Sequence, residues 1–273
     1  MGDSKVGDSS ATDSSAAPDS PPPPPMDSGS PPTHFSTLPI NSPLPTEAQC
    51  TAWVNAMPTP ENMPGNATAN QTTPTAAWLV ALHADPASDC ANGPAQCLAD
   101  YANVTGAFAA STDMILRWAA CKWGIDEDVV RAEAWEESSW NQSLEADSDT
   151  TCHSLSVMPG ALNYWMEASP CKPSKGILQE KMLYWNSWPY ALSSTPLNAD
   201  YRMAAQRSCM NGDIPWLVGM GAGGAYGTYP PGDTNTALYG CMGHWFSGGW
   251  GDAGAVMYVT NLMSILASMP WPH

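Results

Sequence analysis

The stretch C-K-W-G-I-D-E-D-V-V-R-A-E-A-W-E-E-S-S-W-N-Q, residues 121–142, decides the fold. It closes one helix, caps a second and carries that second helix to its end. Upstream, Ser111, Thr112 and Asp113 offer N-cap oxygens to a helix reading MILRWAACKW. Gly124 stands where a left-handed residue ends it. Asp126 then caps the second helix, EDVVRAEAWEESSW, with Glu127 and Asp128 against its positive N-terminal end. Near its close, Glu136 and Glu137 lie about 100° apart around the axis, so they cannot share a face. Glu137 falls on the small, apolar stripe of Val130 and Ala134. Glu136 falls with Val129 and Glu133, a stripe read as solvated. Glu137 is therefore the carboxyl expected to face the core. Burial and the negative helix C-terminus both favour its protonated form, and Trp135 and Trp140 would dry its surroundings. A protonated glutamate beside apolar surface is what a general acid for glycosidic cleavage requires.

Outward from this pair the pattern stays helical at 198–210 and 252–268. Between them lies a glycine-rich loop, VGMGAGGAYGTYPPGDTN, residues 218–235. Residues 142–173 read as a polar, loop-rich insert. The expected class is mainly α, of α+β type, with a small strand element in the insert. Three regions follow. Residues 1–45 are a Pro/Ser/Asp-rich tail, too poor in apolar surface to order itself, with an extended proline run at 21–25. Residues 46–110 form an irregular N-terminal region packed on the catalytic domain, interrupted by a short apolar helix at 75–83. Residues 111–268 are the helical catalytic domain.

Composition narrows the partners. The 273 residues carry 26 acidic against 9 basic side chains, a net charge of −17. Such a chain repels phosphate backbones and anionic lipid, so no nucleic acid is expected. No apolar run approaches the roughly 20 residues that span a bilayer. The start, MGDSKVGDSS, lacks the apolar stretch of a signal peptide. The eight cysteines include no C-x-x-C, which argues against structural zinc, and their even number points to disulfides and an exported protein, extracellular or periplasmic. Eight cysteines allow 105 pairings, so spacing alone does not fix them. Proximity favours Cys90–Cys97, Cys152–Cys171 and Cys209–Cys241, leaving Cys50 with Cys121. The histidines show no metal-ligand spacing, and the glycines form neither a dinucleotide fingerprint nor a phosphate loop, so no metal or cofactor is expected.

Residues 121–142 resemble the catalytic helix pair of soluble lytic transglycosylases and goose-type lysozymes. In that family the helix ends in Glu-Ser, the step made here by Glu137 and Ser138. S-K-G-I-L-Q, residues 174–179, is similar to the family's S-x-G-[LIM]-[ML]-Q. The resemblance covers roughly residues 101–268 and implies a lysozyme-like fold with Glu137 as the catalytic acid. It implies that Ser138, Ser174 and Gln179 face the substrate, with Gln179 near the sugar. H-W-F-S-G-G-W, residues 244–250, stands where the family has A-Y-N-x-G. Trp245 takes the place of a tyrosine that touches the acid, and Phe246 that of the asparagine. The implied reaction is muramidase-type cleavage of the β-1,4 bond between N-acetylmuramic acid and N-acetylglucosamine in peptidoglycan.

Lytic transglycosylases need one glutamate. A hydrolase needs a second carboxylate, for which Glu145, Asp147 and Asp149 are the candidates. Thirteen tryptophans against three phenylalanines add sugar-stacking faces. Trp140, Trp185, Trp188, Trp245 and Trp250 lie near the motifs, with Tyr184 and Tyr190 as further edges, while at least half of the tryptophans are expected in the core. The acidic charge fits a controlled remodelling enzyme or, alternatively, a non-catalytic secreted glycan-binding protein on the same scaffold.

Overall fold

The computed structural model describes residues 32–84, 95–150, 152, 165, 167–182, 185–219 and 224–272. The proline run at 21–25, Tyr184 and the expected Cys90–Cys97 bridge, through Cys90, lie outside these residues. Residues 32–45, expected to belong to the tail, instead pack on the domain. Phe35 is buried and its N–H donates to Glu127 Oε2 at 3.3 Å. The Leu38 N–H bonds the Gly124 carbonyl at 3.0 Å, and the Arg207 guanidinium bonds the carbonyls of Leu38 and Pro39. A few apolar anchors suffice here, because a proline-rich segment loses less chain entropy on docking.

Residues 46–110 are also more regular than expected. They hold α1 (Glu47–Asn55), α2 (Ala76–Ala84) and α3 (Ala95–Ala102). Thr46 and Gln49 cap α1 reciprocally, bonding each other's backbone N–H. Cys50 of α1 is bridged to Cys121.

Cys121 lies in α4 (Thr112–Trp123), in which every residue is buried. Ser111 is its N-cap, and Gly124 ends it with φ +61°, as its sequence position implies. The charges on this central helix are tolerable because each is paired. Lys122 meets Asp200 at 2.8 Å and Glu47 at 2.7 Å, Arg117 meets Glu127, and Asp113 meets Arg131.

The second helix of the pair is α5 (Glu127–Ser138), capped by Asp126. It is two residues shorter than its pattern, because Ser139 and Trp140 turn left-handed at φ +51° and +64°. The small sheet has three two-residue strands, antiparallel in chain order: β1 (Glu145–Ala146) lies in the insert, as expected, whereas β2 (Ser174–Lys175) and β3 (Glu180–Lys181) follow it. Lys175 pairs in register with Glu145 and Glu180, and Ser174 with Ala146 and Lys181. The Cys152–Cys171 bridge closes the insert.

The short α6 (Tyr190–Ser193) leads into α7 (Thr195–Asn211), which is buried along almost its whole length. α8 (Thr234–Ser247) and α9 (Ala253–Ser268) complete the fold, and Cys209–Cys241 bridges α7 to α8. α8 is not legible as a helix in the sequence, because Gly240 and Gly243 lower its propensity. Both are there for packing. A Cβ on Gly240 would meet the Trp250 ring at 2.4 Å, and one on Gly243 would meet Ala255 at 2.7 Å. The described residues are thus mainly helical with a small sheet and three disulfides. None of their helices is long and apolar enough to cross a membrane.

Candidate active site

A cavity of about 620 Å³ opens between the end of α5, the small sheet, α7 and α8. Glu137 lines it from the last turn of α5 and is partly exposed there. Ala134 and Val130, one and two turns earlier on its stripe, are fully buried, so the expected face is the observed one. Burial raises the Glu137 carboxyl to about 8. A hydrogen bond from Tyr258 and the charge of Arg202 pull it down, while Glu133 and Glu136 push it up.

Glu133, read as solvated, is completely buried. It lies one turn before Glu137 and is gripped by Arg202 of α7, with Nε at 2.9 Å and Nη2 at 2.5 Å from Oε1. A helix face that looks polar in sequence is buried because another helix brings the compensating cation. Burial still raises the Glu133 carboxyl above its ordinary range, against the pull of Arg202. Glu136 points elsewhere and accepts from Asn261 of α9.

The turn at 176–179 forms the second wall. Gly176, at φ +83°, leaves no room for a side chain, since a Cβ would meet the Ala191 carbonyl at 2.2 Å. Asn198 holds the turn, accepting from the Leu178 N–H and donating to the carbonyls of Lys175 and Ala191. Gln179 lines the cavity at φ +47°. Its Nε2 donates to the carbonyls of Gly176 at 2.6 Å and Leu144 at 3.3 Å, which leaves Oε1 buried with no partner among the described residues. Period-2 alternation turns Ser174 and Lys181 of the sheet toward the cavity. Ser174 Oγ donates to Asp147 at 2.6 Å, and Lys181 Nζ lies 3.3 Å from the same carboxylate. Of the three candidate second carboxylates, Asp147 lines the cavity. Glu145 is paired with Lys175, and the backbone of Asp149 bridges that of Cys171.

The third wall is aromatic. Trp245 stacks on Trp185 at 5.0 Å, and the Arg202 guanidinium lies over its ring at 4.1 Å. Phe246 stacks on Tyr258 at 4.9 Å and 13°. Tyr258, from α9, donates its hydroxyl to Glu137 Oε1 at 2.6 Å. The side chain that touches the Glu137 carboxyl is therefore Tyr258, which the sequence pattern does not single out. No local signal marks it: it sits in an amphipathic helix as any core tyrosine would.

Three expected site residues are placed elsewhere. Ser138 donates to the carbonyls of Ala134 and Ile177, so it ties α5 to the 176–179 turn rather than facing a ligand. Trp140 is wholly buried, its indole N–H on the Arg131 carbonyl. Trp250 is buried against Gly240 and Tyr229, with its N–H on the Gly227 carbonyl. Both tryptophans serve the core, where most of their large apolar area finds contact. Trp188 packs near Lys175, and Tyr190 accepts from the Thr75 N–H. His34, Asp126 and Asp128 lie close enough to hold a cation, but each already has a protein partner and none lines the cavity.

Comparison of the chain with protein-family models, with curated proteins and with solved structures gives no match.

Proposed function

We propose that the protein is an exported, lysozyme-like enzyme that cleaves peptidoglycan as a lytic transglycosylase. The observation that carries this reading is the Glu137 carboxyl. It stands in a cavity of about 620 Å³, of a size for a sugar chain, and keeps its proton up to about pH 8. In the proposed reaction Glu137 protonates the glycosidic oxygen between N-acetylmuramic acid and N-acetylglucosamine, and the C1–O bond breaks. The carboxylate so formed takes the proton from the 6-hydroxyl of the same muramic residue as that oxygen closes on C1. The products are a 1,6-anhydro sugar and a new chain end, and the acid is regenerated without water. Tyr258 fixes Oε1 of the acid, and the aromatic wall gives the apolar faces of sugar rings a place to lie. The three disulfides accord with export.

Asp147 in the same cavity favours a second reading, hydrolysis, with its carboxylate activating a water. Digestion of purified peptidoglycan by wild type and Glu137→Gln, with mass spectrometry of the released muropeptides, separates the two. Anhydro-muropeptides absent from the variant digest are expected. Reducing ends lost in the same way would mean hydrolysis. No products from folded wild type across pH 4–9 would leave a non-catalytic glycan-binding protein.

A further inference from the structure

The aromatic wall carries a feature that the cleavage chemistry does not use. His244, in the last turn of α8, lines the cavity while only 8% exposed. Its Nδ1 is buried without a hydrogen-bond partner among the described residues. The ring stands edge to face with Trp216, centroids 5.1 Å apart. Trp216 sits on the short 3₁₀ turn Pro215–Leu217, lines the same cavity and is 42% exposed, high for an indole. Gln179, on the turn at 176–179, also lines the cavity, and its Oε1 is likewise buried without a partner among the described residues. A buried polar atom without a partner is destabilising, and a bound polar group or water can offset that cost.

We propose that His244 and Trp216 form a subsite for one uncharged N-acetylhexosamine ring, the indole stacking on the ring's apolar face and the imidazole bonding its polar substituents. This rests on the glycan reading above and adds to it which sugar the wall takes. The charge pattern decides the sugar's character. Two cations line the cavity, and each already faces a carboxylate: Arg202 meets Glu133, and Lys181 meets Asp147. Burial and the nearby Arg202 charge hold His244 neutral, its imidazolium forming only below about pH 4. A carboxylate-bearing ring would find no unpaired positive charge among the described residues there, in a chain of net charge −17. A neutral hydroxyl or acetamido group can donate or accept without that penalty.

The test is calorimetric titration of the Glu137→Gln protein, which removes the acid, with the β-1,4-linked N-acetylglucosamine tetramer. Trp216→Ala and His244→Phe, each added to that background, are expected to weaken binding about tenfold, the equivalent of one lost contact of about 1.4 kcal/mol. His244→Phe keeps the ring and its packing, and thermal melts verify that both variants fold. Affinity is expected to stay within about twofold between low and high salt, since no ion pair is formed. Parent-like affinity in both folded variants, or a steep loss of affinity with salt, would overturn the subsite and leave the cleavage reading intact. A tetramer that does not bind, while wild type still releases muropeptides, overturns the subsite alone. No binding together with no muropeptides overturns both.

Discussion

The hydroxyl of Tyr258 donates a 2.6 Å hydrogen bond to Oε1 of Glu137, joining α9 to the end of α5 across 121 residues of chain. Phe246 stacks on the same tyrosine ring, so the phenol is held from its face and through its hydroxyl. Because the bond is made to a carboxyl, it favours the ionised form and opposes the upward push of burial on Glu137.

Tyr258→Phe removes that donor without changing the packing volume. A hydrogen bond to a charged group is worth about 1.5–3 kcal/mol, so Glu137 is expected to titrate about one to two pH units higher. The basic limb of a pH–rate profile for peptidoglycan cleavage reads this directly. An unmoved limb would show that the tyrosine does not act on the carboxylate.

Stability should depend on pH through Glu137 in a defined direction. The folded group ionises near 8 and the unfolded one near 4.5, so the folded protein binds the extra proton between these values. The stabilisation is complete below about 4.5 and is lost as pH rises toward 8. Glu137→Gln has no such proton to lose. Its melting temperature is expected to gain on that of wild type between pH 5 and pH 9, and parallel curves would contradict the raised value.

Arg202 is the sole ion-pair partner of Glu133 among the described residues. Arg202→Met would strand a buried carboxyl, at a cost of about 3–5 kcal/mol. The double variant Glu133→Leu/Arg202→Met removes both charges and is expected to recover most of that loss. Urea unfolding of wild type, Glu133→Leu, Arg202→Met and the double variant checks it, and additive losses in the double variant would exclude coupling between the pair.

Gly176→Ala tests the turn that positions Gln179. The new methyl would meet the Ala191 carbonyl at 2.2 Å and Asn198 Nδ2 at 2.4 Å, at a positive φ that L residues rarely adopt. A loss of about 2 kcal/mol or more is expected in urea unfolding, with reduced cleavage because Gln179 is displaced. Wild-type stability would mean that the turn yields.

The legible part of the site was the part built from neighbours in sequence. Ser111, Gly124 and Asp126 mark helix boundaries because caps are contacts among residues a few positions apart. The stripe Val130–Ala134–Glu137 is set by helical period alone, and its Glu137, not Glu136, lines the cavity. Ser174 and Gln179 were found from a short motif, and Trp245 from its place in another. All three line the cavity, although Trp245 packs on Trp185 and Arg202 while Tyr258 holds the acid.

The helix pair, the carboxyl at its end and the mainly helical class were thus readable from local pattern, and the three disulfides among the described residues are pairings that proximity and its remainder suggested. Which groups surround that carboxyl is set by packing between elements far apart in the chain. Glu133 is hydrophilic by any local measure and is buried because Arg202 arrives from α7. Trp140 and Trp250 look like sugar platforms and are core because other elements cover them. Tyr258 becomes the partner of Glu137 because α9 packs on α5. Helical period and capping act over a few residues, whereas the burial and pairing of a charge depend on what lies across the interface, which no local pattern records.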